Sequence, residues 1–360
     1  MLHGDFKPIS QVALLHLASK MSFDARLSIC MMRLMQFSAT LKLLGLALGL
    51  ASCASITTRL PEVQPADLER EKSLQIELAF KEKAALTQKL HELARPILLA
   101  NTELCPKTRQ DIGVVMHRQK SYAKPLRDAA ANELGAQEEL SILYVVKGSP
   151  AQKAGLRTGD YIVSTEGKTV SPKHKLIQNQ IEESGTISVR RGDALKRFDI
   201  TSETICDYNV ILKQTPTINA YANGRSIVMT SGMMNFASKD EEIAYILGHE
   251  LAHNAMGHIR KTVSNYILSL GATRYTRPFE SEADYVGLYY MARAGYNPDN
   301  VEDIWRRLAV TNPKSVARAK THPTFPGRYV AIDAARKEIK AKQASGAPLI
   351  PNFKTGQNPS

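Results

Sequence analysis

No apolar stretch of this 360-residue chain is long enough to cross a bilayer as a permanent helix; the run Leu43–Leu50 falls far short of the ~20 residues required. A multi-helix membrane part is thereby excluded from this chain. Acidic residues are in deficit, 35 Asp and Glu against 47 Lys and Arg, giving a formal net charge of +12 and a pI near 9.4. That balance invites a nucleic-acid reading, but zinc-finger, RNP and basic-helix patterns are all missing. The basic residues are scattered, with pairs such as Arg190-Arg191 at the end of a strand pattern. Nucleic acid is therefore not an expected partner; the charge implies only a weak attraction to anionic membrane surfaces. Cysteine is scarce as well, at four residues. What is plentiful suits a globular core, 43% hydrophobic against 23% charged, and the length allows two domains or one domain carrying an insertion.

Residues 1 to 31 do not have the layout of a signal peptide. The next segment does: basic Arg33 and Lys42, apolar Leu43–Leu50, then small Ala51 and Ser52 before Cys53. Leu50-Ala51-Ser52-Cys53 resembles the lipobox of bacterial lipoproteins. The resemblance implies removal of residues 1–52, a start near Met32 or Met35, and a lipid on Cys53 that ties the protein to a membrane. Ala54, in place of an aspartate, implies sorting to the outer membrane of a Gram-negative bacterium, facing the periplasm. The alternative is a cleaved secretory signal or an interfacial helix with an incidental cysteine. Residues 53–66, with Pro61 and Pro65, then make a short lipidated tether.

Asp67 is placed to start a helix with an apolar stripe of Leu74, Leu78, Leu86, Leu90 and Leu93, ending or kinking near Pro96. From Cys105 to Cys206 the pattern changes to short strands and glycine turns: a strand over 142–146, a short helix capped by Ser149 and stopped by Gly155, and a strand at Tyr161–Val163. A turn at Glu166-Gly167, a helix over 172–183 and a hairpin over 186–200 around Gly192-Asp193 follow. Gly148-Ser149-Pro150-Ala151-Gln152-Lys153-Ala154-Gly155-Leu156-Arg157-Thr158-Gly159-Asp160 resembles the signature of bacterial PDZ domains. That resemblance implies strand addition of a peptide to a sheet edge, and with it envelope assembly partners held through the insert. Ile112-Gly113-Val114-Val115 departs from the pattern and shows no carboxylate-binding loop, so a purely architectural insert stays open. Cys105 and Cys206 stand at the two composition changes, as a disulfide clasp at the neck of an insertion would; two buried thiols are the alternative.

After the insert, short strands lead into the stretch that carries the chemistry. Asn219, Ala220, Tyr221 and Ala222 are read as an edge strand beside a cleft, able to pair with an extended substrate. Gly248-His249-Glu250-Leu251-Ala252-His253 follows on a helix whose N-cap is read as Asp240. Residues four apart share a helical face, so His249 and His253 suit one Zn²⁺, with Glu250 beside it as general base toward a zinc-activated water. A third ligand is needed. His258 does not fit the metzincin spacing, because Met256 and Ile259 occupy the positions that pattern reserves for Gly and His.

Glu280-Ser281-Glu282-Ala283-Asp284 opens a second helix that stops at Ala294-Gly295-Tyr296, a third is expected over 299–310, and Thr321-His322-Pro323 and Arg328 come later. These motifs together resemble the gluzincin peptidase family that includes the CaaX prenyl protease, the HtpX heat-shock protease and periplasmic outer-membrane-assembly proteases. The resemblance implies that Glu280 is the third ligand of one zinc per chain and that Asp284 orients a ligating histidine. It further implies that His322 approaches the metal or stabilises the oxyanion, and that Arg328 anchors that loop through a carboxylate. The expected fold class is α+β: a mainly helical zinc peptidase domain (67–104 and 207–343) with a small β-hairpin sheet, a PDZ-like β-rich insert (105–206), and a disordered tail from 344. The expected activity is endopeptidase cleavage of exposed or misfolded envelope polypeptides. The competing reading is a lipoprotein chaperone whose zinc site is structural or latent.

Overall fold

The computed structural model describes residues 61–164, 185–268, 277–311, 313 and 325–352. Helix α1 (Pro65–Ala100) is continuous through Pro96, where a kink or stop was expected. Tertiary packing holds the last turn: Ile97 and Leu98 are buried, and the Asn101 amide donates to Ile97 O at 2.8 Å and to Tyr290 O at 3.0 Å. Only the C-terminal half of the expected stripe is core. Leu90 and Leu93 are buried, whereas Leu74 and Leu78 are 46% and 55% exposed, lying beyond the reach of the main core.

The insert comprises β1 (Thr108–Asp111), β2 (Val114–His117), α2 (Arg127–Leu134), β3 (Ser141–Val145), α3 (Pro150–Ala154), β4 (Tyr161–Val163), β5 (Thr186–Arg191), β6 (Ala194–Asp199) and β7 (Glu203–Cys206). Strands β2 to β6 form one antiparallel sheet in sequence order, which makes β2 an edge; β1 and β7 form a separate two-stranded ribbon. Ser149 caps α3 by accepting from Gln152 N–H, and Gly155 ends it at φ 93°, a left-handed position that suits glycine. The insert has its own core, built around Ile142, Ile162, Ile187 and Val189. The expected turn at Glu166-Gly167 and the helix over 172–183 lie outside the described residues.

The insert is joined to the rest by more than its two strands. Cys105 and Cys206 are disulfide-bonded, with Cα atoms 5.7 Å apart across a sequence separation of 101. Arg95 of α1 donates to Asp111 (3.2 Å) and to Glu203 (2.7 Å), the Tyr144 hydroxyl donates to Glu92, and Phe80 meets Tyr122 edge-on at 5.6 Å. These contacts brace the insert along α1.

The remaining elements are β8 (Asn209–Lys213), β9 (Ala220–Ala222), β10 (Ser226–Thr230), α4 (Ser231–Phe236), α5 (Asp240–Ala255), α6 (His258–Leu268), α7 (Arg277–Arg293), α8 (Asp303–Thr311) and α9 (Phe325–Ser345). The small sheet runs β8-β10-β9: β9 and β10 are the expected hairpin, and β8 adds to the other side of β10 in parallel. Helix α8 starts at Asp303 rather than 299, since Asn300 takes a turn conformation at φ 61°. Helix α5 is capped at Lys239, not Asp240, and that side chain makes no cap bond. Glu242 reaches back to Ser238 N–H (2.8 Å), while Asp240 pairs with Lys89 (2.8 Å). Residues 346–352, expected to belong to a disordered tail, fold back onto α7. Arg293 donates to Leu349 O (3.1 Å), Lys342 to Ile350 O (2.6 Å), and Asn352 N–H to the Tyr285 hydroxyl (3.1 Å). No helix among the described residues is long and apolar enough to cross a membrane.

Candidate metal centre

Helix α5 is buried from Glu242 to Asn254, so its polar side chains need partners inside the protein. Its main neighbour is α7, and the two backbones touch: a Cβ on Gly248 would lie 2.4 Å from Gly287 O, and one on Gly287 2.5 Å from His249 N. Only a pair without side chains permits that approach. It brings His249 and His253 on α5 against Glu280 and Asp284 on α7.

His249 Nε2 and His253 Nε2 face each other at 3.1 Å. Glu280 Oε2 lies 3.6 Å from the first and Glu280 Oε1 3.5 Å from the second. All three residues are buried, with ligand atoms within 4.8 Å of one another. A tetrahedron with metal–ligand bonds of ~2.05 Å has edges of about 3.3 Å. The two imidazole nitrogens stand at about that spacing and each has a Glu280 oxygen little farther away, so the donor set suits a zinc ion, and two nitrogens with one carboxylate oxygen would leave a fourth position open.

His249 Nδ1 lies 2.9 Å from Asp284 Oδ1. Arg328 grips the same carboxylate with two hydrogen bonds of 2.5 and 2.7 Å, and the Tyr245 hydroxyl donates to it at 2.6 Å. The Arg328 guanidinium also lies over the Trp305 ring, 3.6 Å from its centroid. Burial opposes the charge on Asp284, but Arg328 outweighs it and holds the carboxyl well below its usual range. Burial likewise works against a charged His249, yet Asp284 and Glu280 prevail and raise its pKa to about 9. Burial pushes His253 down to about 4 and Glu250 up to about 7. Without metal, His249 is thus the ring that carries the proton, which metal binding must displace.

The Ala222 backbone lies close enough to the Glu250 carboxylate to favour its charged form, so the edge strand β9 abuts the expected general base. Asn219 and Ala220 line a cavity of about 240 Å³ with His249, Glu250 and Glu280; Met233, Ile304 and Trp305 add apolar wall. Asn219 precedes β9, with its backbone paired to Thr230, and Tyr221 is 37% exposed. Arg328 does bind a carboxylate, and that carboxylate is Asp284 of α7. His322 and Cys53 lie outside the described residues. Sequence reasoning missed Tyr245 and Trp305. Tyr245 could have been found, since it lies four residues before His249 on the same helical face; Trp305 arrives from a distant helix with no local signal.

Residues 189–273 and 265–336 match peptidase family M48, and residues 141–191 match a PDZ domain. The chain carries an M48 peptidase domain and a PDZ domain. The two matches overlap on strand β5, which pairs within the PDZ sheet, and neither includes α1, although α1 packs into the core of the M48 half. Among curated relatives, the mitochondrial metalloendopeptidase OMA1 of Schizosaccharomyces pombe is 24% identical over 173 residues, 39% of this chain and 51% of the relative. The mitochondrial metalloendopeptidase OMA1 of Saccharomyces cerevisiae is 29% identical over 128 residues, 29% of this chain and 37% of the relative. The chain thus spans about half or less of the curated relatives it matches. Of solved structures, the HtrA3 PDZ domain bound to a phage-derived ligand is 25% identical, covers 28% of this chain and 89% of that chain, and has a TM-score of 0.21.

Proposed function

We propose that this protein is a zinc endopeptidase that cuts polypeptides laid along β9, and that it works in the bacterial envelope, anchored by a lipid on Cys53. The observation that carries the reading is the convergence of His249, His253 and Glu280, with Glu250 beside them and the edge strand lining the same cavity. The names of the relatives, which are metalloendopeptidases, support the reaction class. The envelope location is supported by the lipobox-like Leu50-Ala51-Ser52-Cys53 alone.

Zinc, held by His249, His253 and Glu280, would polarise the scissile carbonyl and acidify water. The protein supplies the rest. An extended chain can add to the outer edge of β9 through backbone hydrogen bonds, which places a scissile carbonyl over the site irrespective of side-chain identity. Glu250, its pKa lifted to about 7 by burial, is suited both to take a proton from the attacking water and to give it to the leaving amine nitrogen as the carbon–nitrogen bond breaks. Asp284, made firmly anionic by Arg328, holds His249 by Nδ1 so that Nε2 faces the metal position. The PDZ sheet offers a second edge at β2, suited to envelope partners or substrates.

The deciding experiment compares wild type with Glu250→Gln. Zinc content should be unchanged, since no ligand is altered, while peptidase turnover falls by at least about 10². Equal turnover with zinc in place would sink the role of Glu250. Zinc-loaded wild type with no peptidase activity on any unfolded envelope protein, yet able to hold such clients, would favour the chaperone reading instead. For the anchor, Cys53→Ala should release exported protein from the membrane fraction, and an unacylated wild-type N-terminus by intact mass would refute it.

A further inference from the structure

His258 is excluded from the ligand set by its spacing, and the structure gives it a different place. The chain leaves α5 through Gly257, at φ 68°, and enters α6 with the His258 ring wholly buried. Phe279 of α7 stacks on that ring, centroids 4.8 Å apart and planes 19° apart. One nitrogen of the ring, Nδ1, lies 3.2 Å from Nδ1 of His253. The other, Nε2, lies 2.8 Å from Glu282 Oε2.

With a metal at the proposed position, these distances assign the protons. His253 turns Nε2 toward His249 and Glu280, so that nitrogen must keep its lone pair for the metal. Its single proton then belongs on Nδ1, which donates to His258 Nδ1. The proton of His258 is thereby assigned to Nε2, which donates to Glu282. Each step follows from the one before, and every nitrogen ends with a partner.

We infer that His258 and Glu282 are positioning residues for the metal: a relay that holds His253 in the tautomer and orientation presenting Nε2. The inference rests on the zinc reading above. It assigns His253 what Asp284 provides directly for His249, but by a longer route. The reason for the length is electrostatic. Glu250, Glu280 and Asp284 already bring three buried carboxyls together beside one buried guanidinium, Arg328. A fourth carboxylate placed directly on His253 would have to be desolvated too. With an imidazole between, Glu282 keeps its side chain 32% exposed and its charge in contact with water.

The test is the zinc affinity of the full mature chain, by competition with a chromophoric chelator, together with the visible spectrum of the cobalt-substituted protein. His258→Phe keeps a ring to stack on Phe279 but cannot accept from His253; it should weaken zinc binding by about 10- to 100-fold and shift the cobalt spectrum. His258→Asn returns an acceptor near the Nδ1 position and should recover most of the affinity and the spectrum. Glu282→Ala should lie between wild type and His258→Phe. A folded His258→Phe protein that holds zinc as tightly as wild type overturns the relay. Should that variant fail to fold by circular dichroism, Glu282→Ala decides, and wild-type affinity there overturns it equally. A wild type that binds no zinc is a separate failure, that of the reading beneath the relay.

Discussion

Each half of the molecule is built over a buried aspartate held by an arginine, and the two pairs serve different ends. In the PDZ half, Asp160 is buried and bonded by Arg191 at 2.6 and 2.7 Å; it also accepts from Arg157 N–H, while Arg191 donates to Gly155 O. Every partner is a loop or strand end, so that pair ties the α3–β4 turn to the hairpin. In the M48 half, Asp284 and Arg328 form the same contact, but the second oxygen of the aspartate also faces His249 and Tyr245. There, on the zinc reading proposed above, the pair would aim a ligand. The chemistry is common to both, and the third partner decides whether it holds the fold or holds a site.

Asp284→Ala against Asp160→Ala separates the two roles. Removing either carboxylate strands an arginine, at a cost of about 3 to 5 kcal/mol for a fully buried partner. The Asp284 change should sit at the upper end, because Arg328 is 4% exposed, and the Asp160 change lower, because Arg191 is 23% exposed and can reach water. Only Asp284→Ala should also weaken zinc binding, by about 10- to 100-fold. Denaturant titration and chelator competition on both variants read this directly; equal loss of zinc from both would erase the distinction.

The clasp between the halves is the next largest effect. Closing a loop of 101 residues raises the free energy of the unfolded chain, and loss of such a bond costs typically about 2 to 4 kcal/mol. Cys105→Ala combined with Cys206→Ala should therefore lower the thermal midpoint with zinc content unchanged, since the Arg95 and Phe80 contacts still brace the insert. Zinc lost together with the clasp would show that the neck shapes the site. Two thiols reactive to labelling in denatured, unreduced exported protein would show that the bond does not form.

What the sequence discloses and what it hides divide along the same physical line. Local patterns carry far: His249, Glu250 and His253 within one helical turn, Glu280 and Asp284 on one face of the next helix, and the Ser149-Pro150 start and Gly155 stop of α3 all rest on neighbours in the chain. Contacts made at long range leave no such trace. Proline at position 96 reads as a break until Asn101 and Tyr290 are seen to secure the turn beyond it. The Gly- and Pro-bearing stretch after 345 reads as disorder until Arg293 and Lys342 take hold of the carbonyls of Leu349 and Ile350. Bracing of the PDZ half on α1 likewise depends on Phe80 meeting Tyr122, a pairing no periodicity announces.

The smallest effect, absent at neutral pH, concerns one histidine in each half. His91 on α1 and His117 on β2 are both pushed by burial from the ordinary 6.5 down to about 4, with the nearby charge of Arg109 adding to the shift at His91. His117 is held neutral against the Tyr122 hydroxyl, its Nδ1 2.9 Å away. Both folded values lie below the unfolded one, so between pH 6.5 and 4 the unfolded chain binds more protons than the folded one. The stability these rings contribute is complete above pH 6.5 and drains away as the pH falls toward 4. Neither ring touches the metal ligands, so the loss should appear equally in zinc-loaded and zinc-free protein. Replacing each in turn, His91→Gln and His117→Gln, should flatten the fall of the thermal midpoint across that window, each variant by its own share. A midpoint that stays level from pH 7 to 4.5 in the wild type would show that both rings protonate in place. A slope removed by one substitution alone would assign the acid sensitivity to a single half of the molecule.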